Sequence, residues 1–136
     1  MKKIFIMLFL GAGASAAAQT PFADCFFDKT MRFDYYHAGD SRSEEYFFDA
    51  LKEEPYWAGS KVSLVDTTGY GNQFFRIVDR ASGREIYSRG FCTLFNEWQS
   101  TPEADSVRRS YPESVVFPYP KRPCRIEIFT RNGKGR

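Results

Sequence analysis

The segment Gln73-Phe74-Phe75-Arg76-Ile77-Val78-Asp79-Arg80-Ala81-Ser82-Gly83-Arg84-Glu85-Ile86-Tyr87-Ser88-Arg89 decides the fold. Gln73–Asp79 is rich in Phe, Ile and Val, which favour a pleated, half-buried surface. Ser82-Gly83 supplies a residue that tolerates positive φ, and residues 85–89 return with apolar Ile86 and Tyr87. The pattern predicts a β-hairpin. The period then changes, since Phe91, Leu94, Phe95 and Trp98 recur at the spacing of one face of a short helix. Thr101-Pro102-Glu103 adds an N-cap residue, a proline for the first helical position and an acid for the first turn. Together these predict a packed corner of a β-domain rather than a ligand site.

Outward from the hairpin, residues 30–36 alternate Met31, Phe33 and Tyr35 against Arg32 and Asp34, a half-buried strand, and residues 38–41 form a turn. Residues 44–51 fit two patterns: Phe47, Phe48 and Leu51 stripe a helix, whereas Tyr46, Phe48 and Ala50 share one side of a strand. Residues 61–66 read as a short strand and residues 67–72, with Gly69 and Gly71, as a mobile connection. Residues 114–117 read as another short strand, after which Pro118, Pro120 and Pro123 predict an extended, non-pairing segment. Residues 124–131 alternate again, and Asn132-Gly133 is a hairpin turn with too little chain after it for a returning strand. Many short strands broken by Gly, Pro and Asn predict an all-β, antiparallel β-sandwich in immunoglobulin-like layers, with one or two short helical turns.

Residues 1–18 read as a signal peptide: Lys2-Lys3, an apolar run over residues 4–10, and Ala16-Ala17-Ala18 before Gln19. The run is shorter than the about 20 residues that span a bilayer. Export to the periplasm or beyond is therefore expected, with no membrane attachment after cleavage. Residues 19–136 amount to one domain, expected to be truncated at its C-terminal end. Without Lys2 and Lys3 the basic side chains equal the acidic ones in number, which argues against nucleic acid and anionic membranes as partners. The 14 Phe, 8 Tyr and 2 Trp exceed what a small core needs. Cys25, Cys92 and Cys124 lie far apart, so one disulfide with a spare thiol and three free thiols are both open, as are all three pairings.

Several blocks carry a resemblance: Tyr56-Trp57-Ala58-Gly59, Ser82-Gly83, Ile86-Tyr87-Ser88-Arg89-Gly90-Phe91, Leu94-Phe95 with Glu97-Trp98, and Glu113-Ser114 leading to Phe117-Pro118-Tyr119-Pro120. In order and spacing, from about Phe26 to the chain end, the chain resembles the N-terminal domain of the secreted bacterial IgA peptidase-type zinc metallopeptidases. The resemblance implies a β-sandwich preceding a zinc peptidase domain, and it turns residues 44–51 towards a strand paired with residues 30–36. It makes a C-terminal peptidase domain in cis the expected partner and a non-catalytic accessory role the expected function.

The residues themselves supply no catalytic set. Such a peptidase needs His-Glu-x-x-His, with the glutamate as general base. This chain has one histidine, His37, at the end of a strand entering a turn, where an exposed or partly packed side chain is expected. No Ser or Cys nucleophile has a spare base, so no catalytic, metal or cofactor residue is assigned. The alternative function is a free-standing exported binding module that stacks Tyr35, Tyr36, Tyr56 and Trp57 on a glycan or protein, against the simpler reading of those rings as core. With no paired ligand spacing, the purified chain should retain no stoichiometric zinc after dialysis. Metal analysis finding one tightly held zinc per chain would overturn that expectation.

Overall fold

The computed structural model describes residues 21–131, so the signal-peptide assignment and the Asn132-Gly133 turn lie outside the described residues. The elements run α1 (Phe22–Cys25), β1 (Phe26–Gly39), β2 (Glu44–Glu54), β3 (Gln73–Asp79), β4 (Glu85–Phe91), α2 (Leu94–Gln99), a 3-10 turn (Pro102–Asp105), β5 (Arg109–Pro120) and β6 (Cys124–Thr130). They form two antiparallel three-stranded sheets, ordered β2-β1-β5 and β4-β3-β6. The fold is the all-β sandwich that the alternation predicts. Its core lies between the two central strands, with Phe26, Tyr35 and, from β5, Val115 and Phe117 meeting Phe75, Ile77, Ile86 and Tyr87. Central β3 is buried along nearly its whole length, as its apolar run requires. Among the described residues no helix is long and apolar enough to cross a membrane.

The β3–β4 hairpin closes where Asp79 Oδ2 accepts from the Ser82 amide at 3.1 Å and from the Ser82 hydroxyl at 2.5 Å. Gly83 follows at φ 69°, a conformation that suits a residue without Cβ. Residues 44–51 are strand, with Tyr35 opposite Phe48 and Phe33 opposite Leu51. Asp49 is the extra residue of a bulge between them. On the outer face, Ser114 (2.6 Å), Lys52 (3.0 Å) and Arg32 (2.9 Å) converge on Asp34 and hold its carboxyl well below the usual range.

Three expectations are corrected. Residues 61–66 are not a strand, because local bonds use the groups a ladder would need. Ser60 Oγ accepts from the Val62 and Ser63 amides, and the Arg89 guanidinium takes the Ser63 and Leu64 carbonyls. The prolines do not end pairing: β5 continues to Pro120, with Pro118 opposite Thr30 and Pro120 opposite Phe26. A strand edge with no neighbour beyond it tolerates residues without an N–H. The helical face is shorter than its spacing suggests, since Phe91 still belongs to β4 and Leu94 is 67% exposed. Thr93 caps α2 through the Asn96 amide, Phe95 and Trp98 are buried, and Trp98 Nε1 donates to Glu103 at 2.8 Å. Finally, α1 has no counterpart in the sequence pattern.

Asp66 ties the residue 66–72 loop to the end of β6, accepting from Thr68 and, at 2.8 Å, from Arg131. Burial raises its pKa, but the bonds from Thr68 and Arg131 prevail and lower it to about 2. A depressed carboxylate stabilises the fold above its unfolded value of 3.8, and that contribution disappears as pH falls towards 2. Asp66→Asn should therefore lower Tm clearly at pH 6 and much less at pH 2, read by circular dichroism. An equal penalty at both pH values would overturn this account.

Candidate functional site

Of the four rings considered for stacking, the fold buries two. Tyr35 is 2% and Trp57 9% exposed, both in the central cluster, with Trp57 set edge-on to Tyr87 at 5.8 Å. Tyr36 and Tyr56 are exposed, but far apart. The Tyr56 carbonyl accepts from the Thr30 hydroxyl at 3.0 Å, and Thr30 lies six residues from Tyr36 along β1, about 20 Å at the strand rise. Reading Tyr35 and Trp57 as surface rings is thus corrected. They face inward because β1 alternates and because Trp57 Nε1 finds the Ser60 carbonyl at 3.1 Å.

His37 also departs from expectation: it is fully buried. Its ring lies between Tyr46 (4.4 Å) and Phe95 (3.9 Å), each stacked on one face. Nε2 faces Glu44 Oε2 at 3.0 Å and Nδ1 faces Glu113 Oε2 at 3.2 Å. A ring nitrogen that carries a hydrogen can donate to the carboxylate it faces. The signal was present in the alternation Phe33, Tyr35, His37, which puts the histidine one step further along the core face. The cluster continues through Glu44, which accepts from the Thr130 hydroxyl, and Thr130 in turn accepts from Gln73 Nε2 at 3.1 Å. Gln73 accepts from the Tyr46 hydroxyl at 2.9 Å and donates to Asn96 at 3.0 Å. Burial, then the Glu113 charge, push the Tyr35 phenol above its usual range. These bonds join β1, β2, β3, β5, β6 and α2 at one place, so the group works as a structural clasp.

The exposed feature is β2. Tyr46, Phe48 and Leu51 point to the inner face and are 36%, 64% and 52% exposed; Phe47 points outward beside Tyr36 and is 52% exposed. The second sheet leaves this part of the inner face uncovered, and Phe33 rests against Phe48 at 5.6 Å. β2 is an edge strand, so one side of its backbone is also free for pairing. Around the rings lie Glu45, Asp49, Glu53 and Glu54, of which Glu45 meets Arg108, Glu53 meets Lys29 and Glu54 meets Arg32. In sequence these residues fit a strand and a helix alike, because apolar residues on both faces look like buried secondary structure. Among the described residues, no group of His, Cys, Asp and Glu could hold a metal ion.

Replacing the histidine tests the clasp. His37→Leu leaves two carboxylates without their donor and should cost about 3–5 kcal/mol in chemical denaturation. Adding Glu113→Gln should recover part of that loss; strict additivity of the two changes would show that the residues are not coupled.

A family model described as Peptidase M64 N-terminus matches residues 21–136. No curated protein matches the chain.

Proposed function

As this chain belongs to the family of peptidase M64 N-terminal domains, we propose that it is a non-catalytic accessory domain of an exported metallopeptidase, seated on the peptidase domain in cis through β2. The carrying observation is a strand with large apolar side chains exposed on both faces. Strands of that composition normally lie inside a structure, and contiguous exposed apolar surface marks interaction sites. The charge pattern selects the occupant. Two copies meeting edge to edge at β2 would bring the acidic set Glu45, Asp49, Glu53 and Glu54 of one copy beside that of the other, a repulsion that the ion pairs to Arg108, Lys29 and Arg32 only partly offset. A peptidase domain offering an apolar surface with a basic or neutral rim avoids that repulsion. Export is part of this reading and is supported by Lys2-Lys3, the apolar run after them and Ala16-Ala17-Ala18.

Peptide hydrolysis would belong wholly to the partner domain. The zinc chemistry of the resembling peptidases needs paired histidines, and the residues here do not fit it: the chain's single histidine is enclosed between two carboxylates and two rings. The contribution of this domain is support and orientation, with any protein or glycan substrate contacts made beside the peptidase cleft.

Amides of β2 should exchange with deuterium about tenfold more slowly when the peptidase domain is joined to this chain than in the chain alone. Phe48→Glu should remove that protection while leaving the Tm of the isolated chain nearly unchanged, since the ring is mostly exposed. Equal exchange in both forms, or concentration-dependent dimerisation abolished by Phe48→Glu, would overturn the proposal.

A further inference from the structure

Two of the three cysteines meet at one end of the sandwich. Cys25 closes α1 immediately before β1, and Cys124 opens β6. Phe26 pairs with Pro120, and the Lys121 amide donates to the Cys25 carbonyl at 2.8 Å, so the connection from β5 to β6 crosses directly beside α1. Both cysteines line one cavity of about 140 Å³ with Asp79, Arg84 and Arg122, and each is a half-buried free thiol packed against the core. Cys92 is elsewhere. It follows Phe91, which pairs with Gln73, whereas Cys124 pairs with Asp79 at the other end of β3. Six strand residues separate those ends, about 20 Å, against the roughly 7 Å between Cα atoms that a disulfide can bridge.

We propose that Cys25 and Cys124 form a disulfide that joins the entry of the first sheet to the second, leaving Cys92 as the free thiol. This does not depend on the accessory-domain reading. The chemistry balances with a small-molecule disulfide such as oxidised glutathione as oxidant. The Cys25 thiolate attacks one glutathione sulfur and expels a glutathione thiolate, giving a mixed disulfide. The Cys124 thiolate then attacks the Cys25 sulfur and expels the second glutathione. The two protons lost by the cysteines end on the two glutathione thiols. Burial raises the pKa of both cysteines, that of Cys124 to about 11; Asp79 adds to the rise at both and Arg122 opposes it at both, while Arg84 opposes it and Asp24 adds to it at Cys25. The thiolate is the attacking species, so bridge formation should accelerate with rising pH. Closing a loop of about 100 residues restricts the unfolded chain strongly.

The test is peptide mapping of the mature chain after incubation with oxidised glutathione, with free thiols alkylated before digestion. The expected result is a linked pair of peptides carrying Cys25 and Cys124, with Cys92 alkylated. The oxidised protein should melt higher than the reduced one by an amount on the order of 10 °C. That difference should persist in Cys92→Ser and vanish in Cys25→Ser and in Cys124→Ser. If either of the last two fails to fold, the mapping on the unsubstituted chain decides alone. Alkylation of all three cysteines, or any intramolecular link that includes Cys92, overturns the proposal.

Discussion

An imidazole ring held between two carboxylates, with an aromatic ring against each face, fixes much of this sandwich. His37 takes partners from β2 through Glu44, from β5 through Glu113 and from α2 through Phe95, so the three strands of the first sheet and the corner helix share one contact point. Glu44 passes the connection to Thr130 on β6, and Gln73 and Asn96 complete it on β3 and α2. Most polar atoms of this buried cluster are paired, the exceptions being the Tyr35 hydroxyl and Glu113 Oε1, and each further lost partner would leave another polar group in a low-dielectric interior. That pairing gives the two sheets a defined register that apolar packing alone, which is non-directional, would not impose. The 3-10 turn adds to the same end of the molecule, where the Ala104 carbonyl takes the Ser41 amide at 2.9 Å.

Where one physical signal dominated, the fold was legible from sequence. The β3–β4 hairpin, β6 and the strand at residues 30–36 all show period-2 alternation or a clear turn residue, and each formed. The failures came from competition between signals. Residues 61–66 have strand composition but lose their ladder to Ser60 and Arg89. Pro118 and Pro120 look like terminators, yet a strand with a neighbour on only one side has room for them. The spacing from Phe91 to Trp98 spanned a strand end and a helix, so only Phe95 and Trp98 shared the buried face. The site was less legible. Tyr35 and Trp57 were separable from Tyr36 and Tyr56 only once the direction of each side chain was known, and the exposure of β2 depends on where the second sheet stops.

That exposure connects fold to family. Within an isolated sandwich, Phe47, Phe48 and Leu51 on an edge strand are a liability, because exposed rings beside unpaired backbone invite association. Under the proposed accessory role they would be the place where a second domain contributes the missing layer. Bridging Cys25 to Cys124 acts at the opposite concern, holding the two sheets together where α1 enters, away from the Phe91–Gln73 end of β3.

The prolines of β5 give the sandwich a direction. Pro112, Pro118 and Pro120 take three amide donors out of that margin, and in the second sheet the Arg89 guanidinium and the Gly71 turn crowd the margin of β4, where a Cβ on Gly90 would overlap the Tyr70 carbonyl. The proline-free edge strands β2 and β6 lie on the same flank, since Glu44 and Tyr46 of β2 both reach Thr130 of β6. A strand added to this sandwich would therefore meet prolines or crowded backbone on one flank and a proline-free margin on the other.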